Sequence, residues 1–232
     1  MSEENITETY LCISENKYEI YLFDKDKLKK LFSNEISINH NSLDHVSLDS
    51  FLDENIIKIE KLNGKFIKNI FIVIENEQIL QTQIGIKKKS YKKNINYKGI
   101  KSLLIEAKEL FQKSYKDQKI MHMIINNYLI DGKNFDHFEK EILADELSLI
   151  VNFISIPDSF SYHLEKVLEK YQVKINKYLH KKYIVSFFKS QRIKFPLMIC
   201  KILEGSNLNE VQLVPKIHKN RGFFEKFFLL FS

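Results

Sequence analysis

The amino-acid sequence predicts an α+β fold, with helices laid over small sheets. Two short apolar runs, at residues 120–125 and 147–156, are rich in β-branched side chains, which favours strands over helices. Asp131-Gly132 lies between them and predicts a turn, because glycine reaches a positive φ at little cost and aspartate tolerates it. Residues 98–116 place their apolar side chains on one stripe at helical spacing.

Length and composition indicate a globular protein of one or two small domains. The chain has 232 residues, of which 44% are hydrophobic and 28% charged. A net charge of +6 fits either attraction to phosphates on lipid or nucleic acid, or a solvated surface rich in lysine. Nucleic-acid binders more often carry arginine clusters beside exposed aromatics, and this chain has only Arg192 and Arg221. We therefore expect no nucleic-acid partner.

The cysteines and the apolar runs bear on the compartment. Cys12 and Cys200 lie far apart in apolar runs, which predicts buried thiols in a reducing compartment and neither a disulfide nor a metal site. Residues 1–9 are polar and acidic, so no signal peptide is expected there. No apolar run approaches the roughly 20 residues that span a bilayer. The expected location is the cytosol, or a membrane reached from its cytosolic side.

Residues 9–86 predict strands with one helix between them. Residues 9–23 read as a hairpin, residues 24–32 as a short exposed strand or helix, and residues 42–55 as a short helix. Further strands are predicted at residues 56–59, 66–74 and 78–86, separated by turns at Asn63-Gly64 and residues 75–77. His40 and His45 lie near acidic residues, but their spacing matches no defined metal site.

Basic and helical segments follow. Lys87–89 and Lys92–93 predict a basic loop, which either binds phosphate or is simply solvated. The helix of residues 98–116 comes next, and Pro157 ends the strand at residues 147–156. A helix at residues 160–171 and a strand at residues 173–179 come after it. Residues 181–195 predict a last helix, containing Phe187 and Phe188.

One series of residues resembles the bacterial cell-division protein family FtsA. His122 stands in a strand that leads to Tyr128-Leu129-Ile130-Asp131-Gly132, and Ala144 and Leu147 then enter a core strand, as in that family. The proline and Pro-Gly that usually flank this segment are absent, and an unrelated domain with the same β-β-α-β order is the alternative. The resemblance covers residues 9–185. It implies the remnant of an actin-like (ribonuclease H-like) first lobe with an inserted SHS2 subdomain.

The same resemblance indicates that nucleotide chemistry has been lost. In an actin-like ATPase the first hairpin turn carries Asp-x-Gly-(Ser/Thr), which places the metal and lets backbone N–H groups approach phosphate. Cys12, Ile13 and Ser14 stand at those positions here, and no glycine-rich loop follows. The second lobe of the family is missing as well. The expectation is a protein that is not an enzyme, with no catalytic residue, no metal and no cofactor.

The resemblance also divides the chain. Residues 9–62 and 155–200 would form the partial actin-like lobe, and residues 63–154 the SHS2-like subdomain. Residues 201–221 would be a linker, and residues 222–232 an amphipathic membrane-targeting helix of the kind that ends FtsA proteins.

The final segment has the pattern of an interfacial helix. Its phenylalanines recur on one helical face, and basic residues surround them, which fits insertion into an anionic lipid surface. The alternative is that these side chains dock into the protein's own core. The predicted membrane-binding residues are Phe223, Phe224, Lys226, Phe227, Phe228 and Phe231.

The resemblance to FtsA implies an adaptor in the bacterial division machinery. It would tether divisome proteins to the cytoplasmic face of the membrane at the septum, with self-association as a further expectation. Binding to FtsZ is doubtful, because the family region that performs it is absent. A PilM-like adaptor of a pilus or secretion system is a close alternative. A small basic module that binds nucleic acid through Lys87–Lys93 is an alternative of another class.

Overall fold

The computed structural model describes residues 6–38, 45–95, 97–138 and 142–212, which form nine strands and five helices. The strands are β1 (Thr7–Ser14), β2 (Lys17–Asp24), β3 (Lys29–Ser37), β4 (Asn69–Glu75), β5 (Leu80–Ile95), β6 (Gln118–Ile130), β7 (Lys133–Phe135), β8 (Ile142–Pro157) and β9 (Lys174–His180). The helices are α1 (His45–Asn63), α2 (Tyr97–Ser114), α3 (Asp158–Glu169), α4 (Lys181–Phe187) and α5 (Phe195–Leu203).

The first sheet, which we call sheet A, has the strand order β3-β2-β1-β4-β9. The pairs β1–β2 and β2–β3 are antiparallel, whereas β4 runs parallel to both β1 and β9. Strands alternate their side chains between two faces, and both faces of sheet A are apolar. One face forms a core with α1 and α3, and the other forms a smaller core with α4 and α5. Sheet A is therefore the middle layer of a three-layer arrangement.

The second sheet, sheet B, has the order β5-β8-β6-β7 and is antiparallel throughout. Helix α2 covers one of its faces through the apolar stripe that the sequence predicts. At the centre of this core the rings of Phe111 and Phe153 stack with centroids 4.7 Å apart. The predicted turn is confirmed, since Asp131 and Gly132 both have positive φ, at 46° and 74°. Asp131 also accepts backbone N–H bonds from Asp145 and Glu146 through Oδ1.

The predicted strand at residues 56–59 is wrong, because these residues continue α1. Ile56 and Ile59 are buried, whereas Ile57 between them is 55% exposed, which is helical and not strand periodicity. The helix runs on to Gly64, whose φ of 69° ends it and whose N–H bonds the carbonyl of Glu60. Asn63-Gly64 is thus a helix terminus and not a turn between strands.

The predicted basic loop is also wrong, because residues 87–93 lie inside β5. This strand of 16 residues pairs with β8 along almost its whole length, with one register shift between Lys89 and Lys93. Its Lys87 forms an ion pair with Glu146 at 2.7 Å. In the segment 24–32, predicted as a short strand or helix, residues 29–32 belong to strand β3.

Two of the boundaries read from the sequence differ from the boundaries of the observed elements. Strand β4 falls within the segment 63–154, but it pairs between β1 and β9, so the two sheets separate between β4 and β5. Residues 201–203, from the predicted linker, end α5, and Asn209 and Val211 bond the backbone of β6. Pairing of distant strands decides both cases. Among the described helices, none is long and apolar enough to cross a membrane.

Candidate functional site

The carboxyl ends of the parallel strands meet at one edge of sheet A, where the resemblance to actin-like ATPases would place phosphate. Ser14, Glu75 and His180 end β1, β4 and β9 there. Glu75 forms an ion pair with Lys181 at 2.8 Å, and Lys17 pairs with Glu19 at 3.0 Å. The hydroxyl of Ser14 donates to the Lys17 carbonyl. Glu75, Lys181, Lys17 and Glu19 are therefore paired with one another at this edge.

The residues at the lost phosphate-loop positions are part of the core. Cys12 and Ile13 lie within β1 and are 3% and 4% exposed. Burial raises the pKa of the Cys12 thiol far above its ordinary value, so this thiol stays protonated. Burial also raises the pKa of Cys200, to about 11. Within the described ranges, no group of three or more His, Cys, Asp or Glu side chains could hold a metal ion.

A buried polar network joins the two sheets, and we call it the His122 junction. It consists of His122 on β6, Lys177 on β9, Tyr183 on α4 and Glu210 in the segment after α5. The Glu210 carboxylate accepts hydrogen bonds from His122 Nδ1 at 2.9 Å, from Lys177 Nζ at 3.0 Å and from Tyr183 Oη at 2.9 Å. The side chains of His122 and Glu210 are 0% and 1% exposed. The junction therefore fixes sheet B on sheet A.

The tautomer of His122 follows from its two partners. Its Nε2 accepts the backbone N–H of His180 at 2.9 Å, so the ring proton sits on Nδ1 and is donated to Glu210. Burial lowers the pKa of His122, which keeps the ring neutral. The imidazole thus accepts a backbone hydrogen bond at the end of β9 that a neighbouring strand would otherwise accept. The positive partner of Glu210 is Lys177.

The charge of Glu210 is held by its donors. Burial by itself would raise the pKa of this carboxyl, but the hydrogen bond from His122 and the charge and hydrogen bond of Lys177 outweigh burial. The pKa of Glu210 therefore lies well below its ordinary value, and the carboxylate stays ionised at neutral pH. Nearby, burial lowers the pKa of His180 to about 4, and His180 Nδ1 is buried with no hydrogen-bond partner in the described part of the chain. The His122–Glu210 pair is buried, and its role in this structure is to position the elements that carry it.

Sequence reasoning singled out one of the four residues of this junction. His122 entered it only as a residue of the FtsA-like series, and Glu210 was assigned to the linker. The partners of Glu210 are up to 88 residues away along the chain, so no local pattern could have marked it. The residues next to Glu210 in the sequence also show no pattern that marks its side chain as buried.

A groove runs between the two sheets beside the junction, with a volume of about 700 Å³. Its walls are the start of β6, the end of α2 and the outer edge of β9. No described strand pairs with the outer edge of β9. The edge of β6 that faces away from β8 is bonded by Asn209 and Val211 at residues 123–125, and no described strand covers it at residues 118–121. Two strand edges therefore open into one groove.

The groove has a mixed lining with a basic majority. Lys119 reaches across it to Glu165 at 2.6 Å and lies over the ring of Tyr178. Apolar surface comes from half-buried Ile120 and Ile175. The charged residues that line the groove are Lys108, Lys116, Lys119, Asp158, Glu165 and Lys177. The six residues predicted to bind membrane, at positions 223–231, lie outside the described residues.

Comparison with known proteins gives the fold. No protein-family model and no curated protein matches the chain. Among solved structures it is similar to the PilM–PilN type IV pilus biogenesis complex, with a TM-score of 0.50 and 9% identity over 81% of this chain and 51% of that one. At this identity the likeness shows the fold alone, which this chain shares with part of that complex. The predicted α+β class is confirmed. The inserted SHS2 subdomain and the terminal amphipathic helix stay predictions.

Two further structures are similar at lower scores. The cytoplasmic domain of EpsL, an inner membrane component of the type II secretion system of Vibrio cholerae, has a TM-score of 0.42 and 6% identity over 77% of this chain and 59% of that one. A Bacteroides thetaiotaomicron protein with an actin-like ATPase fold and unknown function has a TM-score of 0.35 and 13% identity over 82% and 58%. The chain spans between half and three fifths of the length of these three structures.

Proposed function

We propose that this chain is an adaptor in a membrane-associated assembly of the pilus or secretion type, which binds a partner protein and does not hydrolyse nucleotide. The observation that carries the proposal is the likeness of its fold to the PilM–PilN complex, together with the open groove between the sheets. That likeness favours the PilM-like alternative over FtsA, so the role in division and the place at the septum are left as the second candidate.

The groove is the proposed seat for the partner. An extended peptide can add itself to an exposed strand edge through main-chain hydrogen bonds, and here the edges of β6 and β9 both face the groove. Ile120 and Ile175 offer apolar contact to alternate side chains of such a peptide. Lys119 and Lys177 are paired with carboxylates. The other two lysines of the walls, Lys108 and Lys116, favour a segment with an acidic residue.

The absence of nucleotide hydrolysis is proposed from the carboxyl edge of sheet A. Phosphate binding needs free backbone N–H groups and an unpaired cation, and metal binding needs a carboxylate that is free to coordinate. At this edge Lys181 is paired with Glu75, and Cys12 and Ile13 are buried. We expect no binding of Mg-ATP at 1 mM in isothermal titration calorimetry. Binding at micromolar Kd would contradict this part of the proposal.

Membrane attachment is proposed through residues 222–232. Full burial of one phenylalanine contributes about 1.5–3 kcal/mol, and each basic residue near anionic lipid adds about 1 kcal/mol. Anchoring would raise the effective concentration of weakly bound partners at the membrane. Vesicles containing phosphatidylglycerol should pellet the full chain but not a chain ending at residue 221. Equal pelleting of both chains would contradict the anchor.

The groove is tested by photo-crosslinking in cells of the source organism. A benzoylphenylalanine at Gln112, an exposed residue of the groove wall, should form an adduct with a component of a membrane assembly. The matched control is Lys101, which is exposed on the same helix but away from the groove. Equal adducts at both positions would contradict the proposed binding groove.

Other outcomes would favour the alternative functions. Adducts with a divisome protein would favour the FtsA-like role, and salt-sensitive retention on DNA would favour the nucleic-acid module.

A further inference from the structure

A second groove lies at the opposite edge of sheet A, where the amino ends of β1 and β4 meet. Its volume is about 1010 Å³, and it is bounded by the last turns of α1 and by the loop of residues 64–68. We call it the amino-edge groove. It lies outside the His122 junction and shares only Asn176 with the lining of the groove between the sheets.

Three apolar side chains that line this groove are exposed to solvent. Ile6 is 58% exposed, Ile57 is 55% exposed and Phe66 is 81% exposed. Single exposed apolar residues are ordinary on a protein surface, but three of them lining one concavity form a patch. Phe66 is the most exposed phenylalanine in the described part of the chain. Aromatic side chains, phenylalanine among them, are enriched in protein interfaces.

The loop that carries Phe66 is fixed on both sides. The carbonyl of Glu60 accepts the N–H of Gly64, and a carboxylate oxygen of Glu60 accepts the N–H of Ile67 at 3.0 Å. Ile67 is buried in the core, and the carbonyl of Lys68 accepts the N–H of Lys174 on β9. The backbone around Phe66 is therefore fixed by its neighbours, so that little backbone entropy would be lost on binding.

The rim of the groove is basic. Lys61, Lys65 and Lys68 are exposed along it. The lining contains two carboxylates: Glu8, which pairs with Lys25 at 3.0 Å, and Glu60, which accepts a backbone N–H of the loop. The three lysines outnumber them. The other polar side chains of the lining are neutral, with threonine hydroxyls and amides such as Asn69 that can bond a peptide backbone. The groove therefore combines apolar contact with a positive potential.

We propose that the amino-edge groove binds an acidic amphipathic segment of a partner protein. The apolar face of the segment contacts Phe66, Ile57 and Ile6, and its carboxylates face Lys61 and Lys68. Charge complementarity selects this occupant. A second copy of the same face would meet it with like charge, and a flat bilayer cannot fill a concave groove lined by amides. An adaptor with two separate grooves can hold two proteins at once.

Selection from a displayed library of random 16-residue peptides on the full chain tests the proposal. The enriched peptides should carry Asp or Glu together with Leu, Ile or Phe at helical spacing. Phe66→Ser should weaken their binding at least tenfold, and the double variant Lys61→Glu, Lys68→Glu should weaken it to a similar extent. Binding should also fall as salt rises from 50 to 500 mM.

The matched control is Leu208→Ser, which removes an apolar side chain that is 90% exposed and lies outside both grooves. It should leave peptide binding unchanged. Because Phe66 is so exposed, its replacement should not alter the thermal unfolding temperature, so a loss of binding cannot come from unfolding. Enriched peptides that are basic, or that bind Phe66→Ser as tightly as the original chain, would overturn the proposal.

Two further outcomes would assign the surface to another occupant and so overturn the proposal. In a chain ending at residue 221, binding to phosphatidylglycerol vesicles that Phe66→Ser abolishes would make the surface a lipid contact. Dimers in analytical ultracentrifugation that Phe66→Ser dissociates would make it a self-interface. The crosslink from Gln112 probes the groove between the sheets, not the amino-edge groove. A negative result with the peptides therefore leaves the crosslinking test of the proposed function unaffected.

Discussion

Truncation of Glu210 tests whether the His122 junction holds the two sheets together. Glu210→Ala removes the acceptor of three hydrogen bonds and leaves His122 Nδ1–H buried with no partner. Breaking a buried ion pair by removing one member costs about 3–5 kcal/mol. Lys177 keeps 23% of its side chain exposed and can turn to water, so we expect the lower end, about 3 kcal/mol.

The pKa of Glu210 adds a pH dependence to this expectation. Its hydrogen-bond donors lower the pKa of the folded carboxyl below the ordinary value, so the ionised carboxylate contributes stability at neutral pH. Because the folded pKa is the lower one, this contribution is fully present above about pH 5. It is lost as the pH falls from 4.5 toward 2, where the folded carboxyl also becomes protonated.

Urea unfolding followed by circular dichroism is the assay. At pH 7 Glu210→Ala should lower the free energy of unfolding by about 3 kcal/mol, and the difference from the original chain should shrink below pH 4. Glu210→Gln keeps one acceptor oxygen and should cost about 1–2 kcal/mol, so it remains measurable if the alanine variant does not fold.

The matched control is Glu169→Ala, which breaks an ion pair with Lys166 on the surface of α3. The Glu169 side chain is 68% exposed, so its replacement should cost less than about 1 kcal/mol. A loss below 1 kcal/mol in Glu210→Ala, or a loss that stays constant from pH 7 to pH 3, would refute the reasoning. Either result would mean that the carboxylate of Glu210 is not held by its donors.

Three further predictions follow from the same structure. Burial lowers the pKa of His180 from 6.5 to about 4, so stability should fall by up to about 3 kcal/mol as the pH drops from 6.5 to 4, and His180→Asn should flatten that slope in thermal melts. Gly132→Ala should cost about 1 kcal/mol in urea unfolding, since φ is 74° there and no atom lies near the added Cβ; an unchanged midpoint would contradict it. Phe153→Ala should lower the free energy of unfolding by about 3–5 kcal/mol, because it leaves a cavity beside the ring of Phe111. The control Leu143→Ala should change it by almost nothing, since Leu143 is 70% exposed.

Several elements could be predicted because their cause is local. The stripe of α2 repeats within its own helix, the turn at Asp131-Gly132 needs only two residues that tolerate positive φ, and Pro157 stops β8 by its missing N–H. Residues 56–59 were predicted wrongly because a short β-branched run has the same composition in a strand and in a helix. Only the burial of Ile56 and Ile59 beside an exposed Ile57 shows which one forms.

The sequence by itself determined the α+β class, the apolar stripe of α2, the turn between β6 and β7 and the replacement of phosphate-loop residues by Cys12 and Ile13. The tertiary structure decided that β4 joins the first sheet, that the lysines of β5 lie in a strand, and that Glu210 meets His122. It also decided which edges of β6 and β9 are left uncovered by the described strands. The physical reason is the separation along the sequence of the residues that interact. Helix propensity and turn conformation depend on a few neighbouring residues, whereas strand pairing and the burial of charge depend on residues that are distant in the chain.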